Sequence, residues 1–152
     1  DTLFSVPQHF NFFQAVRLLE ADNAEKNFYK PEWKQHGVGY DYHQQYEVVR
    51  FKTDPSLQAP DGTISALKHP ILDPIKKRLN PAEMHVTFMG LTGANAALPM
   101  HYTEEILVQN RKKNYALRDF FDMFNHRAIS FYYRGWEKFW LWFFPGTCAF
   151  GD

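Results

Sequence analysis

The chain has 152 residues with 17 basic and 17 acidic side chains, so its formal net charge is zero, and 18% of its residues are aromatic. A chain of this length buries about two-thirds of its unfolded surface as one domain, and 45% hydrophobic residues argue against a disordered chain. The charge balance excludes a general attraction to nucleic acid or anionic lipid, and the single Cys148 excludes a disulfide framework and a cysteine-rich zinc site.

The beginning of the chain predicts a helix over residues 7–20, with Ser5 as its cap. Its apolar positions repeat at the spacing of one helical face. These positions are Phe12, Val16 and Leu19. Residues 22–44 contain proline, two glycines and many polar side chains, so they predict a loop.

Two strands are predicted in the middle of the chain, over residues 46–53 and 84–91, from their β-branched and aromatic residues and their alternating pattern. Residues 56–80 between them are rich in proline and turn residues, which predicts a loop. We therefore expect a small antiparallel β element set between long loops.

The last part of the chain predicts a turn at residues 92–97 and then two helices, over residues 99–113 and 115–142. Pro99 suits the start of the first helix, and Asn114 can cap the second. The order of elements predicts an α+β fold in which helices dominate.

The longest predicted helix carries most of the aromatic excess, because 12 rings lie between Phe120 and Phe144. Its first half is amphipathic. The apolar stripe consists of Leu117, Phe120, Phe121, Phe124 and Ala128, and the polar flank of Arg118, Asp119, Asp122, Asn125 and His126. Its second half is apolar almost all round, which predicts that a partner chain or another part of the same protein covers it. The alternative is an ordinary core helix closed by the strands and the first helix.

A metal-dependent helical enzyme is the alternative function. Asp119, Asp122 and His126 share one helical face, and His101 repeats a histidine/acid spacing with Glu104 and Glu105. The Glu-x-x-His order typical of such sites is missing, so solvated or helix-pairing polar residues are the simpler interpretation. No nucleophile elbow, phosphate loop or dinucleotide fingerprint is found, so we predict no catalytic residue, no metal and no cofactor.

Three blocks of the sequence, in the same order, resemble those of a known protein family. Residues 88–93 (FMGLTG) and 98–104 (LPMHYTE) are similar to the hallmark segment of TssG, also called ImpH or VasB, the type VI secretion baseplate subunit. Residues 116–127 (ALRDFFDMFNHR) and 133–138 (YRGWEK) form a second match, and residues 12–20 a third. The turn at residues 94–97 departs from the family pattern.

The resemblance implies a non-catalytic subunit of the baseplate wedge, joining a TssF dimer, TssE and TssK trimers around the spike hub. It implies a cytoplasmic location, docked at the inner face of the inner membrane through the apparatus, without nucleic acid or direct membrane insertion. Family members are about twice this length, so a C-terminal half is expected to be missing. We expect one N-terminal domain over residues 1–144, loop-rich at 21–45 and 54–83, and a tail of uncertain continuity at 145–152.

Two sets of residues are predicted to matter for this role. The helical faces that pack against partners are predicted to use Phe12, Phe13, Val16, Phe131, Tyr132, Trp136, Phe139 and Trp140. The structural motif around the turn and the last two helices is predicted to use Gly90, Gly93, Pro99, His101, Tyr102, Glu104, Asn125, His126 and Arg127.

Overall fold

The computed structural model describes residues 2–29, 35–40, 46–73 and 78–143. In chain order the helices are α1 (Thr2–Ser5), a 3-10 turn (Pro7–His9), α2 (Phe12–Tyr29), α3 (Met100–Arg111) and α4 (Ala116–Phe143). The strands are β1 (Val49–Thr53), β2 (Ile64–Lys68), β3 (Leu72–Asp73), β4 (Arg78–Leu79) and β5 (Ala82–Val86). The predicted α+β class with dominant helices is confirmed.

The main sheet has three strands, with β5 in the centre between β1 and β2. β5 runs antiparallel to β2 but parallel to β1, with Phe51 opposite Met84. The expectation of a purely antiparallel element was therefore wrong for the two strands predicted from the sequence. The connection between them carries β2 and the small β3–β4 pair, and is long enough to return the chain to the same end of the sheet.

The single helix predicted over residues 7–20 forms two separate elements in the structure. Pro7–His9 forms a separate 3-10 turn, and α2 begins at Phe12 with the Asn11 side chain accepting a hydrogen bond from the Phe13 N–H at 3.0 Å. Ser5 belongs to α1 and is not the cap. The helix also continues to Tyr29, because Asn23 extends the buried face and no helix-breaking residue interrupts it.

The segments predicted as loops contain more structure than expected. Residues 21–29 are helical, and residues 54–83 contain three strands and the start of a fourth. The two strands predicted from the sequence are also shorter, at Val49–Thr53 and Ala82–Val86. Parts of both segments, at 30–34, 41–45 and 74–77, and the whole tail at 145–152 lie outside the described residues.

The core lies between one face of the main sheet, α2 and part of α4. Alternate residues of β1 and β5 point into it, as the buried–intermediate pattern of both strands shows. The predicted apolar face of the first helix is confirmed, since its three residues are at most 6% exposed. The buried cluster consists of Phe12, Ala15, Val16, Leu19, Val38, Val48, Val49, Phe51, Ile64, Leu67, Ala82, Met84, Val86, Ile129 and Tyr133.

Candidate partner-binding face of the long helix

The long helix α4 is inverted relative to the usual amphipathic arrangement. The side chains of Asp122, Asn125 and His126 are at most 3% exposed, whereas Phe120 and Phe124 are 53% and 49% exposed. The last three residues of the predicted polar flank therefore face inward, whereas Asp119 and most of the predicted apolar stripe face outward. Two structural features explain this orientation: the edge of the main sheet, and the contacts that α4 makes with α2 and the loop at residues 35–40.

β1 is an edge strand, and the polar side of α4 supplies partners for its outward N–H groups. The Thr53 N–H donates to Asp122 Oδ1 at 3.2 Å, and the Phe51 N–H donates to His126 Nδ1 at 3.1 Å. Helical residues four apart are about 6 Å apart along the axis, and strand residues two apart about 6.6 Å, so the two ladders match. We call the group formed by Glu47, Thr53, Asp122, Asn125 and His126 the polar seam. It covers an edge that would otherwise remain unpaired.

Asn125 connects three parts of the chain within the polar seam. Its Nδ2 donates to Thr53 Oγ1, and its Oδ1 accepts from the Leu91 N–H, both at 2.9 Å. Gly90, one residue earlier in the turn, lies so close to Thr53 that a Cβ would stand 2.3 Å from Thr53 Cγ2. The turn after β5, strand β1 and helix α4 are therefore held at one point.

His126 and Glu47 form a buried pair at the end of the polar seam. Because His126 Nδ1 accepts the hydrogen bond of Phe51, the ring proton is on Nε2, which lies 3.2 Å from Glu47 Oε2. Both side chains are 1% exposed, and burial of such groups is costly unless they are paired. The two groups lie at ion-pair distance, but no hydrogen bond joins Nε2 to a Glu47 oxygen among the described residues. The hydrogen bond from Phe51 to Nδ1 is therefore what fixes the His126 side of α4 toward the core.

The geometry of the polar seam does not fit the metal site considered from the sequence. Asp119 is exposed and pairs with Arg118 at 3.0 Å, while Asp122 and His126 each accept a backbone N–H of β1. The three side chains therefore do not converge. Among the described residues, no group of three or more His, Cys, Asp or Glu could hold a metal ion.

A second polar contact joins α2, α4 and the loop at residues 35–40. The Tyr133 hydroxyl donates to Glu20 Oε2 at 2.8 Å, and the Val38 N–H donates to Glu20 Oε1 at 2.9 Å. Burial raises the pKa of the Glu20 carboxyl, although these two hydrogen bonds oppose that shift. Burial and the neighbouring Glu20 also raise the pKa of Tyr133. In the same loop Gly39 has φ +78°, and a Cβ there would lie 2.6 Å from Arg134 Cγ.

The predicted partner-binding residues fall into three environments. Phe12 and Val16 belong to the core, with 2% and 0% exposure, so they offer no surface to a partner in this structure. Phe13 and Trp136 are partly buried and stack on each other, with ring centroids 4.4 Å apart. The side chains exposed on α4 are Phe131, Tyr132 and Phe139, at 55%, 47% and 71%. The side chain of Trp140 lies outside the described residues.

Thr103, which is not among the predicted motif residues, holds the turn against α3. Gly93 has φ +116°, and its N–H donates to Thr103 Oγ1 at 3.1 Å. Thr103 is fully buried in α3, whereas the predicted His101, Tyr102 and Glu104 are exposed. Pro99 stands at the N-cap position rather than inside the helix. A threonine in the first turn of a helix after a glycine turn is the signal that could have identified Thr103.

We define the outer face of α4 as the row of Phe120, Phe124, Ala128, Phe131, Gly135 and Phe139. All six residues are exposed, and they succeed one another at spacings of four or three. Phe120 and Phe124 meet edge to face at 5.2 Å, and the Arg127 guanidinium lies 4.4 Å from the Phe131 ring while donating to the Tyr40 carbonyl. The row forms a continuous apolar surface with no chemical groups of an active site in it.

Comparison with known protein families identifies a matching family. The model of the family described as type VI secretion, TssG, matches residues 6–143. No curated protein and no solved structure matches the chain significantly. In the described part of the chain, none of the helices has both the length and the apolar character that a bilayer span requires.

Proposed function

The chain belongs to the type VI secretion TssG family, and from that premise we propose that it is a non-catalytic structural subunit of the baseplate wedge. In this role it joins a TssF dimer, TssE and TssK trimers around the spike hub. It acts in the cytoplasm, docked at the inner face of the inner membrane through the secretion apparatus and without inserting into the bilayer. We further propose that TssF covers the outer face of α4.

The observation that carries this proposal is the exposure of the outer face. Its four phenylalanines are between 49% and 71% exposed. A large aromatic side chain buries about 150–250 Å² when it is covered, so the row offers a substantial apolar area to a partner. Contiguous exposed apolar patches of this kind mark interaction sites in soluble proteins.

The chain cannot remove this apolar surface by turning α4 over. Rotation of the helix would separate Asp122 and His126 from the N–H groups of β1 and Asn125 from the turn after β5. Each buried group left without its partner costs about 1–3 kcal/mol. The hydrogen bonds of the polar seam therefore keep the outer face of α4 exposed to solvent, where another chain can bind it.

Co-purification with TssF tests the proposal. Phe124→Asp places a charge within the outer face, and we expect the yield of complex to fall strongly because an apolar interface position becomes charged. Leu57→Asp is the matched control, since Leu57 is 45% exposed but lies in the loop between β1 and β2. Equal recovery of TssF with both variants would contradict the assignment of this face, and no recovery with the unmodified chain would contradict the proposed function.

A further inference from the structure

Gly135 on the outer face of α4 makes no close packing contact with the part of its own chain that the structure describes. Outside its own helical turn, a Cβ built at this residue meets no described atom within 4 Å, whereas at Gly39, Gly90 and Gly93 it would come within 2.7 Å of another atom. Glycine inside a helix destabilises it relative to alanine. The residue therefore weakens α4 while leaving a hollow on its surface, one turn from Phe131 on one side and from Phe139 on the other.

The rest of the outer face has the form of a helix-packing surface. Ala128 is a second small exposed residue, seven positions before Gly135. Residues of the outer face that are eleven positions apart lie at nearly the same angle around the helix axis, because eleven residues make about three helical turns. The row is therefore straight and about 28 Å long at 1.5 Å per residue. Its alternating rings and hollows fit the ridges and grooves of one facing helix.

The edge of this row carries positive charge. Residues 127–139 contain the cations Arg127, Arg134 and Lys138 and the single carboxylate of Glu137, which pairs with Arg134 at 2.9 Å. The three cations lie within about 40° of each other around the helix, at 100° per residue. A facing helix with carboxylates along that side complements them, whereas an antiparallel second copy would bring two positive edges together.

We propose that the outer face of α4 receives an amphipathic helix of the partner subunit, with one large apolar side chain seated over Gly135 and acidic residues along the edge that carries the exposed Lys138. This inference rests on the proposed function and specifies the chemistry of the partner segment. The hollow determines the register of the two helices, and the charges determine their relative orientation.

Titration of the full chain with purified TssF tests both parts of the inference, the apolar side chain over Gly135 and the acidic residues along the positive edge. Gly135→Leu fills the hollow, and Glu25→Leu adds the same side chain at an exposed position of α2. Lys138→Glu reverses the charge of one residue on the positive edge, and Lys112→Glu makes the same charge change at an exposed position after α3. We expect each outer-face variant to raise Kd about tenfold or more, and each control to leave it unchanged.

Two further measurements separate these effects from unfolding. Gly135→Leu should leave the unfolding temperature unchanged or higher, because leucine favours a helix more than glycine does. The affinity of the unmodified chain should fall between about 0.1 M and about 1 M salt, where the Debye length shortens from about 10 Å to about 3 Å. The Lys138→Glu variant should lose most of that salt dependence.

The outcomes distinguish the inference from the function on which it depends. Unchanged affinity of Gly135→Leu, or a salt-independent affinity of the unmodified chain, would overturn the inference and leave the proposed function standing. Association of the chain with itself that Gly135→Leu abolishes would show a second copy as the occupant and overturn it as well. Absence of any binding to TssF would overturn both.

Discussion

In α4 the apolar Phe124 is exposed to solvent, whereas its polar neighbour Asn125 is buried. Phe124 is 49% exposed, and Asn125 is 1% exposed and bonded to both Thr53 and Leu91. Asn125→Ala should lower the free energy of unfolding by about 2–3 kcal/mol, since it leaves buried groups without partners. Phe124→Ala should lower it by less than about 1 kcal/mol. Urea unfolding of both variants measures the difference, and a larger loss from Phe124→Ala would contradict the inverted orientation of α4.

The contact between Gly90 and Thr53 gives a second prediction at this scale. Gly90→Ala should cost about 1–3 kcal/mol, because its Cβ would meet Thr53 Cγ2. Thr53→Ser removes that methyl group but keeps the hydroxyl that accepts from Asn125. The double variant should recover about 1–2 kcal/mol relative to the sum of the single changes. Strict additivity in the double-mutant cycle would show that the contact is not the cause.

The sequence predicts the burial of a residue when a nearby repeat shows it. It does not predict burial that depends on partners far along the chain. Phe12, Val16 and Leu19 were identified correctly because the helical repeat itself shows their common face. The burial of Asn125 depends on Leu91 and Thr53, which lie 34 and 72 residues away, and no local pattern contains that information. For the same reason Asp119, Asp122 and His126 share a helical face that fits either a solvated flank or a metal site when only the sequence is considered.

At the scale of elements, the sequence predicted which segments are helical better than it predicted how strands pair. Both C-terminal helices were found to within about two residues, since capping and composition mark their ends. The parallel pairing of β1 with β5 depends on β2 occupying the other side of β5. The proline and turn residues of 56–80 predict a loop where β2 lies, so the sequence does not predict this pairing.

Glu83 on the central strand links all three strands of the main sheet. Its carboxylate accepts from Lys52 of β1 at 2.6 Å and from Lys68 of β2 at 3.2 Å. Burial alone would raise the pKa of Glu83, but the hydrogen bonds and charges of the two lysines together lower it to about 2. The ion pairs therefore stabilise the fold above the ordinary pKa of 4.5, and this contribution is lost as the pH falls from 4.5 toward about 2.

Comparison with Glu83→Gln tests this linkage. At neutral pH the variant should be less stable by about 1 kcal/mol, a modest value because solvent screens a partly exposed group. The difference should shrink steadily below pH 4.5. Urea unfolding from neutral pH to about pH 3 measures it, with Glu25→Gln as an exposed control. A difference that stays constant over this range would contradict the role of the two lysines.

At the scale of the whole molecule, the chain completes one core and leaves a second apolar surface uncovered. α2, the main sheet and the inner side of α4 enclose the buried cluster, whereas the outer face of α4 has no cover within the described residues. The sequence predicted that the aromatic helix needs a cover. It could not predict which side, since that depends on the polar seam. The expected behaviour is a cooperatively folded chain with a persistent apolar patch.

Dye binding distinguishes this state from partial unfolding. An environment-sensitive hydrophobic dye usually reports a loosely packed intermediate, but here the native chain should bind it through the outer face. Phe124→Ser combined with Phe131→Ser should reduce the fluorescence while lowering the unfolding temperature by only a few degrees, because both rings are about half exposed. Asn125→Ala should keep the dye fluorescence and lower the unfolding temperature, since it weakens the polar seam and loosens the core while the outer face remains. If the double serine variant keeps full dye fluorescence, or unfolds at a much lower temperature, these rings contribute to the folding of the chain rather than to an interface.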